Sequence, residues 1–493
     1  MSDSFFNTGL YKIFEPKYKD IVGKPFITVS AKGIVNGLSN IPNDGVDFGP
    51  DTTLNATSPN QTGPPYTQTS GIQEACNFLT QNNKTIKLLD GTFNVSTTII
   101  FPSLNYINFI GSGKSTLIIP ITNLTSVIDI SNIGIQCKFS DFTVSSGINS
   151  TKNGSLSNYC IYGVNNITNL AGYQTLFRDV NFWTYETYPI YIASTINAFG
   201  GMVLDNVADN MLPIGSGYYS SVGVYINISN GNIVRIINSH FGGLVNITTD
   251  ELLIVNSMFN GIKLTINEGI GNILSSNIYG SQNYNVDGAR NPANVQLNGR
   301  LSLIGCYLPN NGYLVSTTEE DIFYLSNPSY GVGYISLINC FINISHPKTT
   351  NIINGNTTTP YNIYIENSIL YAANQTLTCN ILSSTALSNN MQINNIIYSE
   401  SSSVTFNNYP SQPTTPAVPA SGTAQQNTNP YAVNVYLYGG TVTEIQITKN
   451  GTAYTVFSNA SGLALAGQVY KLNPSDSITI TYTTAPTWDW LSD

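Results

Sequence analysis

Charge is the scarcest feature of this 493-residue chain: Asp, Glu, Lys and Arg together supply 9% of it, against about a quarter in ordinary soluble domains. The formal net charge is −9, and no run of Lys or Arg occurs anywhere. This argues against a nucleic-acid partner, which calls for clustered basic side chains. No apolar stretch reaches the roughly 18 residues needed to cross a bilayer as a helix. The opening "MSDSFFNTGLYKIFEP" is polar and broken by Pro16, unlike a secretory leader. A soluble protein is expected and, if it works outside a cell, a route such as release with a virus particle.

Histidine and cysteine are thin as well. The two histidines are His240, in a repeated slot, and His346, beside Pro347. The six cysteines, Cys76, Cys137, Cys160, Cys306, Cys340 and Cys379, are far apart with no CxxC pair. That spacing argues against a metal cluster. Buried free thiols are the plain reading, and a disulfide between some pair stays open. No metal and no cofactor is expected.

Asn, Ser, Thr, Tyr and Gly supply the polarity instead. Asn-x-Ser/Thr sequons are dense, among them Asn55, Asn94, Asn123, Asn166, Asn227, Asn246, Asn343, Asn374 and Asn459. If used, they imply a surface exposed outside the cell. A surface with few ionisable groups is also nearly indifferent to acid, which fits an acidic habitat.

The stretch "GSGKST" (111–116) has the look of a phosphate-binding loop. Yet the position that must be the first glycine of that motif is Asn108, and "STLIIP" follows as a β-type run rather than a helix. Gly111 and Gly113 are better read as turn glycines, and Lys114 as a solvated turn residue.

The middle of the chain repeats itself. "FSDFTV" (139–144), "FRDVNF" (177–182), "LDNVADN" (204–210), "IINSHFGG" (236–243), "IVNSMFNG" (254–261), "LIGCYLPN" (303–310), "LINCFINI" (337–344), "IENSILYA" (365–372) and "INNIIYSE" (393–400) share one pattern. An apolar residue is followed by any residue, by Asn, Asp or Gly, by a small or apolar residue, by any residue, then by an apolar one. Such recurrence marks a solenoid, in which stacking supplies the core that one unit cannot bury alone. The connecting segments are too short and polar for crossover helices, so the units stack as a parallel β-helix. Asn206, Asn238, Asn256, Asn339, Asn367 and Asn395 are then expected to line up at the bends and share hydrogen bonds, with Cys306 and Cys340 in equivalent slots.

The open start of such a stack needs a cover. "TSGIQEACNFLT" (69–80) places Ile72, Ala75, Cys76 and Leu79 at helical spacing behind Thr69 or Ser70 as an N-cap. Together with "NDGVDFGPDT" before it and "KLLDGTFNVSTTIIFPSLNYINFIGSGKSTLII" after it, this resembles the opening of the pectate-lyase-like superfamily. That resemblance implies a right-handed parallel β-helix of roughly a dozen rungs. The segment 31–75 also resembles the leader of structural proteins from spindle-shaped viruses of thermoacidophilic crenarchaea, which implies a spike or fibre with an N-terminal attachment arm.

The resulting division is an arm over 1–68, a capping helix and β-helix over 69–400, a Ser/Pro/Thr-rich linker over 401–430, and a small antiparallel β-domain over 431–493. Gly439-Gly440 and Asn450-Gly451 are expected as hairpin turns in that last domain.

The superfamily's polysaccharide-cleaving members use carboxylates with calcium and a basic residue, or paired Asp residues with a His and a basic residue. Their Asn-Thr-Asp, Asp-Asp, Gly-His-Gly and Arg-Ile-Lys blocks are absent here. Asp205 and Asp209, near Arg178 and Asp179, are the best enzymatic candidates. Asp250-Glu251 and Glu319-Glu320-Asp321 read as solvated or loosely cation-binding. For binding, "NFWTYETYPIYIAS" (181–194) offers Trp183, Tyr185, Tyr188 and Tyr191 as a stacking platform for sugar rings. Trp488 and Trp490 are either a further sugar contact or the closure of a small core.

These features point to a virion surface protein, a homotrimeric spike or fibre that attaches to a host-surface glycan or glycoprotein and joins other virion proteins through its arm. The competing readings are a polysaccharide lyase or glycoside hydrolase, and a purely structural particle component.

Overall fold

The computed structural model describes residues 26–31, 48–49, 68–79, 84–147, 156–165, 175–184, 188–194, 201–211, 223–228, 233–279, 293–310, 321–328, 331–344, 351–356, 361–371, 377–382, 388–394, 397–399, 404–407, 415–429, 432–449 and 451–492. Most strands fall in two parallel sheets, one of 23 strands and one of 12, and a separate antiparallel sheet of five forms the C-terminal region. Each turn of the coil gives one strand to the twelve-stranded sheet. Twelve strands about 4.8 Å apart make a stack about 53 Å long.

The larger sheet takes two strands per turn, and the bend between them explains the repeated Asn. Asp141, Asp179, Asn206, Asn238, Asn256, Ser275, Asn339 and Asn367 all have φ between 47° and 63°. Gly305 fills the same slot at φ 63°. This left-handed backbone turns the chain sharply, and Asn and Asp tolerate it better than other side-chain-bearing residues. The bend side chains also pair along the axis. Asn256 Nδ2 donates to Asn238 Oδ1 at 2.9 Å, and Asn206 Nδ2 donates to Asp179 Oδ1.

The next residue in each bend points inward and builds a second ladder. Ser239 and Ser257 accept from the backbone N–H of Val207 and Ser239, each at 3.1 Å, and Ser276 accepts from Ser257 N at 3.1 Å. Cys306 and Cys340 occupy this slot further along, their thiols donating to Ile273 O at 3.3 Å and Leu303 O at 3.5 Å. Cys76, Cys137, Cys160, Cys306 and Cys340 are all free and buried.

Inside, side chains stack on like side chains. One row runs through Ile27, Ile86, Phe109, Phe139, Phe177, Leu204, Ile236, Ile254, Ile273, Leu303, Leu337, Ile365 and Ile393 in continuous register. Near the start it is aromatic: Phe139 stacks on Phe177 with ring centroids 5.1 Å apart, and Phe101 meets Phe109 edge-on at 5.2 Å. Burying each such side chain contributes about 1.5–3 kcal/mol, so the interior rather than the sparse ion pairs holds the coil together.

The cap is shorter than its spacing suggests. The helix covers Ile72–Asn77, with turns on either side. Thr69 Oγ1 accepts from Gln73 N at 3.0 Å, while Ile72, Ala75 and Cys76 are buried. Gln73 also closes an open sheet edge: its Oε1 accepts from Ile100 N at 2.7 Å and its Nε2 donates to Ile100 O at 3.0 Å.

Two segments depart from the expected division. Ile27–Val29 pairs in parallel with Thr85–Leu88, so part of the stretch expected as an arm is a strand of the coil. Val404–Asn407 pairs with Leu377–Leu382, and Ala424–Gln426 is a strand of the terminal sheet. Residues 415–429 are thus built into structure despite a linker-like composition, because their backbone finds partners: Trp488 Nε1 donates to Pro416 O at 2.7 Å and Tyr482 Oη to Pro419 O at 2.7 Å.

In the terminal sheet Val433–Lys449 and Thr452–Leu472 form one long hairpin in which Lys449 pairs with Thr452 and Gly451 has φ 79°, while Asn450 lies outside the described residues. Gly439-Gly440 is not a turn. With φ of 71° and 67° it sits inside a single strand, at the irregularity where pairing passes from Thr487–Ser492 to Ser477–Thr484. Two consecutive left-handed residues suit a hairpin turn, but they suit a bulge as well, and the partner strands decide.

Candidate binding surface

Ser157–Asn165, Tyr188–Ser194 and Tyr225–Ile228 are adjacent parallel strands of the twelve-stranded sheet. Alternation sends every second residue outward, and the register puts Tyr162 beside Tyr191 and Tyr191 beside Tyr225. The rings stack: Tyr162 on Tyr191 at 5.7 Å and 9° between planes, Tyr191 on Tyr225 at 4.7 Å and 12°. Tyr159 and Tyr188 form a flanking pair in the neighbouring row, 5.7 Å apart. Tyr188 stands nearly perpendicular to the stack, at 78° to Tyr191 and 83° to Tyr225. All five are partly exposed.

This cluster combines apolar ring surface with a row of phenol groups. Partial burial, then the neighbouring phenols, pushes the Tyr191 hydroxyl above its ordinary value; burial, then Tyr159 and Asp129, does the same for Tyr162. Both remain neutral donors and acceptors through acidic and neutral pH. Aromatic contacts of this kind contribute about 0.5–1.5 kcal/mol each beyond area burial, so the platform is pre-formed. The row continues in register through Asn246, Lys263, Gln296, Tyr324 and Asn354. Beside it run Asn227, Thr248, Thr265 and Asn298. The face is therefore aromatic at one end and hydrogen-bonding along its length.

Of the residues expected to form the platform, Tyr188 and Tyr191 are in it. Trp183 is 37% exposed but lies on Thr175–Thr184, a strand of the other parallel sheet. Tyr185 lies outside the described residues. Tyr159, Tyr162 and Tyr225 belong to the cluster and were missed. The signal for Tyr159 and Tyr162 is the doublet "YCIY" (159–162) and "YPIY" (188–191), two rungs of one ladder, whereas Tyr225 has no such local signal. Trp488 and Trp490 are 3% and 2% exposed, packed edge-on at 5.5 Å inside the terminal domain. They close a small core and offer no ring face to a sugar, which corrects the sugar-contact reading.

The carboxylates do not converge. Asp205 faces outward and accepts from Arg178 Nε at 2.8 Å in an exposed ion pair. Asp179 is committed to Asn206 at a bend. Asp209 points the opposite way from Asp205, its register neighbours being Phe182 and Phe241 in the core. It is 1% exposed, takes a 2.7 Å bond from Thr184 Oγ1 at Oδ1, and has no partner at Oδ2. Burial pushes its carboxyl up to about 7. The expected outward Asp205–Asp209 pair therefore does not exist, since a bend separates the two residues and reverses the side that faces out.

Asp250 is buried near Asn267 and Glu251 is exposed. Asp321 is buried and accepts from Asn354 Nδ2 at 2.8 Å, while Glu319 and Glu320 lie outside the described residues. Among the described residues no group of three His, Cys, Asp or Glu side chains is placed to hold a metal ion. His240 is half-buried, which lowers its basicity. His346 lies outside the described residues. The sequon residues Asn94 and Asn123 are exposed, Asn227, Asn246, Asn343 and Asn459 are partly exposed, and Asn55, Asn166 and Asn374 lie outside the described residues.

The "GSGKST" stretch is a turn between Asn108–Ile110 and Thr116–Pro120, with Thr116 Oγ1 accepting from Ser112 N at 2.8 Å. A Cβ on Gly111 would lie 2.1 Å from Asp141 O, so this position requires glycine for packing rather than for phosphate. No helix among the described residues is long and apolar enough to cross a membrane.

No family model matches the chain, and no curated protein matches it. Among solved structures it is similar to endo-xylogalacturonan hydrolase from Aspergillus tubingensis, at 12% identity over 68% of this chain and 90% of that one, TM-score 0.36. It is also similar to a double mutant of the tailspike protein of E. coli bacteriophage HK620, at 11% identity over 85% and 88%, TM-score 0.34. A third is the enzymatically active domain of bacteriophage CBA120 tailspike protein 4, at 12% identity over 87% and 67%, TM-score 0.33. Superpositions this loose leave the strand pairings to define the fold. By those pairings the chain is a parallel β-helix followed by a small antiparallel β-domain.

Proposed function

We propose that this protein is a virion spike or fibre that attaches to a host-surface glycan or glycoprotein through the side of its β-helix. The observation that carries the reading is the partly exposed tyrosine cluster at Tyr159, Tyr162, Tyr188, Tyr191 and Tyr225, continued by a row of amide and hydroxyl side chains. Sugars present apolar C–H faces and a rim of hydroxyls, and a surface alternating aromatic rings with Asn and Thr answers both. A rigid coil holds such groups at fixed spacing, which suits an extended polymer. The leader 31–75 supports assignment to a spindle-shaped virus of a thermoacidophilic crenarchaeon, and the low charge fits that habitat.

The cleavage reading needs two carboxyl groups facing one bond. Asp205 and Asp209 face opposite ways, which favours binding over hydrolysis or elimination. The test is to incubate the protein with envelope and exopolysaccharide from candidate hosts. The same tube is assayed for co-pelleted protein and for new reducing ends or unsaturated products. Binding without product, weakened about tenfold or more in the Tyr188→Ala/Tyr191→Ala double variant, is the expected result. Product formation, or binding that ignores the double variant, overturns the reading.

A further inference from the structure

The strand Thr452–Leu472 is unusual for a surface element. It is 21 residues long and pairs along one side with Val433–Lys449. Among the described residues no strand pairs with its other side. Natural sheets protect such an edge with charge, proline, brevity or bulges, and irregularities interrupt this one in its middle, leaving Thr452–Thr455 and Gln468–Leu472 as its regular stretches. Here there is no proline, and Lys471, near the end, is the single charged side chain. Tyr454, Val456, Leu463 and Val469 are 53%, 44%, 48% and 48% exposed. The middle carries small side chains at Ala460, Ala464 and Ala466, and a Cβ on Gly467 would meet nothing within 4 Å, whereas one on Gly462 would meet Thr441 of the paired strand.

We infer that Thr452–Leu472 is the contact between copies of this chain, which assemble by pairing it with a second copy. Charge selects that occupant. The chain carries a net −9, so two copies repel over most of their surfaces, whereas this edge has no acidic residue and brings no carboxylates together. The neutral edge equally lacks the charge that would recognise an acidic or basic partner. Its size fits. It runs beside the 17 residues of Val433–Lys449, so at about 3.4 Å per residue the edge is at most about 58 Å long, and a strip about 10 Å wide offers on the order of 600 Å² per copy, or about 1,200 Å² in total, within the lower range of specific interfaces. The surface extends across the sheet, because Val469 pairs with Tyr436, itself 36% exposed on the outward face. This inference is independent of the glycan reading, which concerns residues between 159 and 354 on a different sheet.

The test uses the full chain. Light scattering on a sizing column measures the mass of the unmodified protein and of Val456→Lys and Leu463→Glu, two exposed positions. Ile121→Lys, also exposed at 57% but on the coil, is the control. Expected are twice 53.4 kDa for the unmodified protein and the control, and 53.4 kDa for both edge variants, with unchanged circular dichroism. Should the edge variants fail to fold, amide exchange of the unmodified protein decides. Amides across Thr452–Leu472 should exchange at least about tenfold more slowly in concentrated than in dilute solution. A monomer at every concentration, folded edge variants that keep the larger mass, or exchange that ignores concentration each overturns the inference. Capture of an unrelated chain by a monomer would count against it too.

Discussion

Replacing Asp209 by Asn should change how the protein's stability depends on pH. The carboxyl sits between Phe182 and Phe241 with one oxygen bonded by Thr184 and the other without a partner. Burial raises it from 3.8 to about 7 in the folded chain. Between those values the unfolded chain has released its proton while the folded chain keeps it. Stability therefore falls as pH rises through that window and is flat with respect to this group above it. At 1.36 kcal/mol per pH unit, the full contribution is about 4 kcal/mol. An Asn side chain stays neutral throughout, at the cost of an amide donor without a partner, about 1–3 kcal/mol. Denaturant unfolding from pH 4 to pH 8 should thus show Asp209→Asn equal to or less stable than the parent at pH 4. At pH 8 it should be more stable, with a crossing between. Parallel pH profiles for the two proteins would falsify this account of the buried carboxyl. A parent that gains stability on going from pH 4 to pH 7 faster than the variant would refute it as well.

The bend ladder predicts that Asn256→Val costs about 2–3 kcal/mol, from left-handed strain and the lost bond to Asn238, whereas Asn256→Gly costs under about 1 kcal/mol; unfolding midpoints compare them. Cys306→Ser should be tolerated within about 1 kcal/mol, because Ser239, Ser257, Ser276 and Ser368 fill the same slot elsewhere. A reductant should leave the unfolding midpoint unchanged if the five described thiols stay free. Gly111→Ala should destabilise by about 2 kcal/mol or more through collision with Asp141 O, while Lys114→Ala should stay within about 0.5 kcal/mol. Nucleotide titration of the parent should give no signal, and saturable binding would reopen the phosphate-loop reading.

The coil was legible because its interior and bends impose the same demand at every turn. An inward apolar residue, a left-handed Asn and a small donor after it recur wherever a strand must turn, so they appear as a repeat in one dimension. The glycine turn at 111–113 was readable for a related reason, since the residues around it carry β-type rather than helical periodicity. The binding surface was less legible. Tyr188 and Tyr191 stood out as a local cluster, but Tyr159, Tyr162 and Tyr225 join them only through interstrand register, across polar segments of irregular length. Trp183 sits close in sequence and on another sheet, because the chain turns a corner between the two.

The same limit governs the carboxylates and the terminal domain. Asp205 and Asp209 are four residues apart, yet one faces solvent and the other the core, because the left-handed bend at Asn206 resets the alternation between them. Gly439-Gly440 and the stretch 415–429 are ambiguous by composition, and the strands that pair with them settled their roles. Local backbone preference and the alternation of apolar residues act within a few neighbours, so the sequence by itself determined the class of fold, the bends and the nature of the core. Which outward side chains share a surface depends on contacts between residues dozens of positions apart, so the tyrosine platform, the buried Asp209 and the open edge at Thr452–Leu472 were decided only by the tertiary structure.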